Sequence, residues 1–347
     1  QGLPGPRGKG MIPDWLTKKL ADGPISFERF MELALFHPDH GYYTRNIRGV
    51  GQRGDFATSP TLSLALSSAI AGWMEREIKA LGIRPPFQLV ELGPGDGSLA
   101  RGILTALPWN VRRKCRLHLV EVSGPLQQQQ ETALGKFRRR VHWHDSLKAA
   151  LESLPTGTHP IIYSNEFFDA FPVRIFQRSA DGLEELMVEG QESGLGESWE
   201  DPVVLPPTQL DPNQFAEGHR FEVAASIRQW MQENFTQLER GSLLTIDYGG
   251  SQAEIYHRRP QGTVRGYFFH NVQTGPAVYE NPGRQDLTAD VHFDDLEAWG
   301  AEVGVATIAR EAQGSFLSLF SEDSSEAADF LRSSAGEAFK VLIQRKE

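Results

Sequence analysis

The chain of 347 residues carries 39% apolar and 23% charged side chains, enough for a sizeable buried core under an ordinary charged surface. Its formal net charge of −10 argues against a sequence-independent nucleic-acid binder, which needs a basic face. The single cysteine, Cys115, allows no internal disulfide and argues against a cysteine-built zinc site, and no apolar run approaches the length of a membrane span.

Residues 1–10, QGLPGPRGKG, have collagen-like triplet spacing but too few triplets for a triple helix. They are expected to be a tag-like or disordered extension, with Met11 as the native start. Residues 13–37 read as helical, with Ile25, Phe27, Phe30, Met31, Ala34 and Leu35 on one face, Ser26 as a cap and Pro38 after the end. A glycine-rich loop covers 41–60, and a second helix is expected over 61–81. From residue 87 strands and helices alternate: FQLVEL (87–92), a helix over 98–107, RLHLVEV (116–122), a helix over 125–137, RVHWH ending near Asp145, another helix, and HPIIYSNE (159–166). That alternation predicts an α/β fold with a doubly wound, mostly parallel sheet. Residues 177–211 read as an inserted hairpin and loop, and 219–239 as one long amphipathic helix burying Phe221, Ala224, Ile227, Trp230, Met231 and Phe235. SLLTIDYG (242–249) returns to strand, and strands near 303–309 and 339–344 are expected to close the sheet as an antiparallel pair.

The stretch ELGPGDGSL (91–99) joins a strand to a helix through Gly93, Gly95 and Gly97. Bare backbone at such a junction lets a ligand approach closely. Two ligand classes fit, a dinucleotide and S-adenosylmethionine (SAM). A dinucleotide site has a third small residue where Ser98 stands, and its pyrophosphate would be repelled by Glu91 and Asp96. SAM carries an ammonium and a sulfonium and no phosphate, so the same carboxylates favour it. Glu121 ends the second strand, where two acceptor oxygens suit a ribose diol. Asp145, with Ser146 beside it, ends the third, where an acceptor suits the adenine amine. Asn165 and Glu166 end the fourth strand and Asp169 follows, where donor and acceptor of a methyl group would meet.

The motifs GYY (41–43), GDFATSP (54–60), VELGPGDGSLARGIL (90–104), LVEVS (119–123), NEFFDAFPVRIF (165–176), DYG (247–249), GTVRGY and DLTADVHF (262–293) occur in order. On them the chain resembles the MidA-type SAM-dependent methyltransferases. That group includes the mitochondrial complex I assembly factor, which methylates arginine on a complex I subunit. The resemblance implies a class I, Rossmann-like methyltransferase sheet with a helical N-terminal segment and an inserted cap. It implies SAM as cofactor, with Gly54, Asp55, Thr58 and Ser59 in a loop over it, and Asn165, Glu166 and Asp169 at the reaction centre. The expected organisation is a helical segment with the covering loop (11–82), a SAM-binding core (83–176), an inserted hairpin and helix cap (177–240), and the remaining core strands with substrate-side loops (241–347). The chain departs from the family's usual residues at Thr61, Gly124, Asp290 and His292, and these departures bear on the acceptor more than on the cofactor.

The expected activity is therefore protein arginine N-methylation, with a complex I subunit as the acceptor the resemblance implies. The alternatives are an O- or N-methyltransferase for a small metabolite, or a catalytically silent SAM-binding assembly factor. A dehydrogenase ranks behind these because of Ser98. No metal, nucleic acid or membrane span is expected, and a homodimer is compatible with the sequence. The lack of an Arg-rich leader favours a bacterial cytoplasm over a mitochondrial matrix. His142 and His144 read as surface histidines, Gln127 to Gln130 as a solvated helix face, and Arg138 to Arg140 as a complement to a helix dipole. Tyr42, Tyr43, Tyr248, Tyr267 and His270 are candidates to line an acceptor pocket.

Overall fold

The computed structural model describes residues 12–46, 60–201, 204–269, 271–320 and 337–347. The chain folds as two compact units built from interleaved segments. One takes residues 48–168, 230–250 and 296–347, and the other residues 1–47, 169–229 and 251–295.

The first unit is a doubly wound α/β layer. Its strands are β1 (Phe87–Leu92), β2 (Cys115–Val120), β3 (Val141–His144), β4 (Ile161–Asn165), β5 (Gly241–Gly250), β6 (Ala306–Ala312) and β7 (Phe339–Lys346). They lie in the order β6-β7-β5-β4-β1-β2-β3. β5, β4, β1, β2 and β3 run parallel, while β7 pairs antiparallel with both β5 and β6. Every residue of β1 is buried, as befits a central strand covered on both faces. The chain builds β1, β2 and β3 outward in one direction, then crosses back to lay β4 on the other side of β1. The crevice between the carboxyl ends of β1 and β4 is thus the switch point of the sheet, the place where such folds take ligands.

Helices α1 (Pro60–Ala80), α2 (Ser98–Ala106), α3 (Gly124–Ala133) and α4 (Leu147–Glu152) accompany these strands, with a single helical turn at Trp109–Arg112. α1 lies beside α2 and beside α5 (Gln313–Phe320). Gly72 is required there, since a Cβ would stand 2.2 Å from the Phe320 carbonyl oxygen. Leu89, Leu117, Leu119, Ile161 and Ile246 from the sheet join Ala69, Trp73, Met74 and Ile103 from the helices in one apolar cluster. At its border Glu77, 4% exposed, takes a two-pronged bond from Arg345 (2.7 and 2.8 Å) and one from Ser242 Oγ (2.6 Å).

The second unit is antiparallel. Strands Ile25–Ser26, Leu183–Gln191, Arg174–Arg178 and Arg220–Val223 form a sheet in that order, and Gly194–Glu200 also pairs with Leu183–Gln191. The expected hairpin after residue 177 is therefore part of a larger sheet. A smaller sheet orders Asn271–Gln273, Arg265–Phe268 and Asp286–Thr288. Phe221 stacks on Phe215 with ring centres 4.6 Å apart, and Tyr256 meets Phe215 edge-on.

Two helical expectations change. The span 13–37 is broken: a single turn Asp14–Thr17 is followed by Gly23 at φ +124°, Pro24 and the two-residue strand, and the main helix is Phe27–Phe36. Ser26 does cap it, accepting from the Arg29 amide at 3.2 Å. The span 219–239 is also split, because Phe221 lies in strand Arg220–Val223 and the helix runs only over Ala225–Phe235. Phe221 and Ala224 are three apart, a spacing that a strand followed by a helix can mimic.

Candidate functional site

The loop after β1 is built by its glycines. Gly93, Gly95 and Gly97 all have positive φ (61°, 54° and 80°), a region that costs other residues about 1–2 kcal/mol. Space is equally restrictive. A Cβ at Gly93 would stand 3.0 Å from Phe167 Cδ2, and one at Gly97 would stand 3.2 Å from the Gln130 Cα. The Gly97 amide turns back to the Pro94 carbonyl at 2.9 Å, and Asp96 Oδ1 accepts from the Ser98 amide at 2.9 Å to start α2. Asp96 thus has a structural job at the helix N-terminus.

Glu91, one residue before the end of β1, is 2% exposed and accepts from Tyr163 Oη on adjacent β4 at 3.0 Å. Burial pushes its carboxyl up to about 8, against the Tyr163 bond and with a further push from Asp96. Burial thus favours its neutral form, and a ligand cation beside it would favour the ionised one.

Glu121 follows β2 and is 8% exposed. Its Oε1 accepts from the Ser123 amide at 2.8 Å and its Oε2 from Gln130 Nε2 at 3.2 Å. Burial raises its carboxyl, and these bonds pull it back. A carboxylate has about four acceptor sites, so these bonds leave room for a diol. Asp145 and Ser146 are exposed after β3, and the Ser146 hydroxyl caps α4 by accepting from the Ala149 amide at 3.1 Å.

The turn after β4 is held from below. Asp247, on β5 and 0% exposed, accepts from the Phe167 and Phe168 amides through Oδ2 (3.2 and 3.0 Å) and from the Tyr248 amide through Oδ1 (3.0 Å). This sling keeps Glu166 at φ +51°, with its amide on the Ile246 carbonyl at 2.9 Å. Asn165 Nδ2 donates to Glu166 Oε1 at 3.1 Å. Burial raises the Glu166 carboxyl and the Asn165 bond opposes the shift. Phe167, Phe168 and Trp230 pack edge-to-face at 5.2–5.6 Å beside it.

The first unit therefore brings together Glu91, Gly93, Gly95, Gly97, Glu121, Asp145, Ser146, Asn165 and Glu166 at the carboxyl ends of β1 to β4. Asp169 belongs to the second unit, where it is buried and its carbonyl accepts from the Ala289 amide at 3.0 Å. Burial, then Asp286, then Asp169 hold the Tyr43 phenol there well above the usual range. Tyr42 and Tyr267 lie in this unit too, whereas Tyr248 packs edge-on against Phe339 in the first. Gly54, Asp55, Thr58, Ser59 and His270 lie outside the described residues. Asp290 is gripped by Arg259 and Arg265, and His292 pairs with Asp295 at 3.2 Å.

Three polar side chains differ from expectation. Gln130 is 0% exposed, not solvated: it donates to the Gly95 carbonyl (2.7 Å) and to Glu121, and accepts from Trp143 Nε1 (2.9 Å). Gln127 also turns inward, donating to the Glu121 carbonyl at 2.7 Å. The available signal was helical spacing, since Gln130 is four residues after buried Leu126. His144 is half-buried and bonds His118 (3.0 Å), which in turn meets Gln88 Oε1 (3.0 Å). Burial, then His144 and His142, push His118 down to about 4. Among the described residues no group of three His, Cys, Asp or Glu side chains is arranged to hold a metal, and no helix is long and apolar enough to cross a membrane.

A switch-point crevice with a glycine cradle and carboxylates after successive strands fits SAM. The cradle leaves backbone where a Cβ would intrude. The fold and site are those of a class I SAM-dependent methyltransferase. Residues 69–310 match the family described as "Putative S-adenosyl-L-methionine-dependent methyltransferase", and the chain belongs to that family. It is 30% identical over 345 residues to the mitochondrial protein arginine methyltransferase NDUFAF7 of Danio rerio, covering 91% of this chain and 78% of that one. The Homo sapiens protein of the same name is 29% identical over 334 residues, covering 88% and 72%. A crystal structure from Burkholderia thailandensis bound to S-adenosyl-homocysteine superposes with a TM-score of 0.80 at 29% identity, covering 95% of this chain and 90% of that one. SAM is thus the cofactor and methyl transfer the reaction.

Proposed function

We propose that the chain is a protein arginine N-methyltransferase. The observation that carries the reading is the raised, half-buried carboxyl of Glu166, fixed at the switch point beside the cofactor loop. The names of the relatives point to the same acceptor class.

When bound, SAM supplies an electrophilic methyl group on its sulfonium. The residues of the chain do the rest. Gly93, Gly95 and Gly97 would let the backbone approach its methionine end, Glu91 would answer its ammonium, Glu121 would accept from its ribose hydroxyls, and Asp145 with Ser146 would border its adenine. From the motif resemblance, Gly54, Asp55, Thr58 and Ser59 cover the cofactor. Asn165 orients Glu166 through their hydrogen bond. Glu166 would accept from the acceptor guanidinium and take its proton as the nitrogen–methyl bond forms and the methyl–sulfur bond breaks, leaving S-adenosyl-homocysteine, a task suited to a carboxylate whose affinity for protons is raised. A carboxylate can meet the guanidinium fork with two parallel bonds. Asp169 is a second acceptor-side carboxylate carried by the motif. Phe167, Phe168 and Trp230 keep water from this end of β4. The acceptor is a protein, and a respiratory complex I subunit is the first candidate implied by the family resemblance. The activity belongs to a bacterial cytoplasm or, in a eukaryotic host, to the mitochondrial matrix.

The test is a methyl-labelled SAM incubation with cell lysate, followed by mass spectrometry of proteins and of the small-molecule extract. Label on arginine side chains supports the reading. Label confined to extractable metabolites would replace it with a small-molecule methyltransferase.

A further inference from the structure

Gln130 has no place in the activity as described, yet its buried amide makes three hydrogen bonds beside the glycine loop. It reaches inward from α3, and it is the fully buried member of the run Gln127 to Gln130. Its amide is fully buried and uses both of its ends. Nε2 donates to the carbonyl of Gly95 at 2.7 Å and to Glu121 Oε2 at 3.2 Å. Oε1 accepts from the indole of Trp143 at 2.9 Å. One side chain thus links the middle of the glycine loop, the carboxylate after β2, and β3. The backbone fits as tightly, for Gly97 is where a Cβ would press on the Gln130 Cα.

We propose that Gln130 is a positioning residue that sets cofactor affinity by fixing the distance between the glycine loop and Glu121. The proposal rests on the reading that these two elements hold opposite ends of the nucleoside and amino-acid parts of one ligand. Glu121 is the element most in need of such a tie. Backbone amides of Ser123 and Val122 bond its carboxylate, and Gln130 supplies the side-chain bond to Oε2 from the glycine-loop side. A leucine or methionine at 130 would fill the same space but leave three partners, namely the Gly95 carbonyl, Glu121 Oε2 and the Trp143 N–H, without their bonds. Buried groups left unpaired move to find water. The ends of the site would then be free to shift relative to each other, and a shift of about an ångström is enough to cost most of the benefit of a preformed site.

The test uses the full chain with Gln130→Met, which keeps length and volume, and Gln130→Glu, which keeps the acceptor for Trp143 but sets a carboxylate beside Glu121. S-adenosyl-homocysteine is titrated calorimetrically into each, the ligand-free melting temperature is recorded, and KM for SAM and kcat are measured. The expected result is an affinity loss of about tenfold or more in both, a matching rise in KM for SAM, and kcat within about twofold of wild type. For Gln130→Glu the ratio of its affinity to that of wild type should recover as pH falls, because a protonated glutamate regains one donor. A merely structural role would lower the melting temperature without moving KM or creating that pH signature. Affinity within about twofold of wild type in the folded variants would overturn the proposal. Should Gln130→Met not fold, the pH ratio of Gln130→Glu decides alone, and a flat ratio overturns it. Absence of binding by wild type would sink the site assignment itself, and this proposal with it.

Discussion

Replacing Asp247 by asparagine perturbs the site without touching any residue that faces a ligand. The carboxylate accepts three amides, two on Oδ2 from Phe167 and Phe168 and one on Oδ1 from Tyr248. An asparagine has one acceptor oxygen, so its NH2 must face either one or two N–H donors. At least one charged hydrogen bond is lost, worth about 1.5–3 kcal/mol, and at least one buried donor is left facing another donor. The turn also holds Glu166 at φ +51°, a conformation costing a non-glycine residue about 1–2 kcal/mol that the sling must offset. The expected loss is about 2–5 kcal/mol, a large share of the stability of an ordinary domain. Urea unfolding with linear extrapolation measures it. The variant should still bind S-adenosyl-homocysteine, because the glycine loop and Glu121 stand on β1 and β2, but its kcat should fall with Glu166 released. A loss below about 1 kcal/mol, with kcat unchanged, would refute the view that Asp247 carries this turn.

Three further outcomes are expected. Glu166→Gln should lower kcat by at least about a hundredfold while leaving affinity for S-adenosyl-homocysteine near wild type, as single-turnover and binding measurements would reveal; equal loss in both would make Glu166 a cofactor ligand instead. Glu91 has a folded-state value near 8 against an ordinary 4.5, so between these the native state keeps a proton that the unfolded chain releases. Its contribution is therefore fully present below pH 4.5 and is lost as pH rises through about 8, at up to about 1.4 kcal/mol per pH unit. Glu91→Gln has no proton to lose, so its unfolding free energy should gain on that of wild type between pH 5 and 8; a constant difference across that window would contradict the burial argument. Arg345→Met removes the two-pronged partner of Glu77 and strands a carboxylate that is 4% exposed, so denaturation should show a loss of about 3–5 kcal/mol.

Much of the core was legible because burial there is uniform. FQLVEL is buried at every position, and the strand is found where the apolar run lies. The glycine loop was legible because few other arrangements call for three glycines between a strand and a helix, and its three positive φ angles show why. What escaped was set by tertiary partners. Gln130 reads as surface because glutamine next to glutamine looks solvated, and only the carbonyl of Gly95 and the carboxylate of Glu121 make its burial tolerable. Asp247 reads as a strand-end residue, and its role depends on a turn some eighty positions away in sequence. Phe221 fits a helical period by chance because the strand ends just before the helix begins. The break near Gly23 and Pro24 was available in the sequence, since proline disfavours helix in the residue before it. The interleaving of the two units was not, because hydropathy records which residues are buried but not which segments share a core.

The most direct test of the account is calorimetric titration of the purified protein with S-adenosyl-homocysteine, with NAD in parallel and Gly95→Val as control. The account predicts one site for S-adenosyl-homocysteine, lost in the variant, and no heat from NAD. Binding of NAD, or binding of S-adenosyl-homocysteine that survives a valine at Gly95, would contradict it.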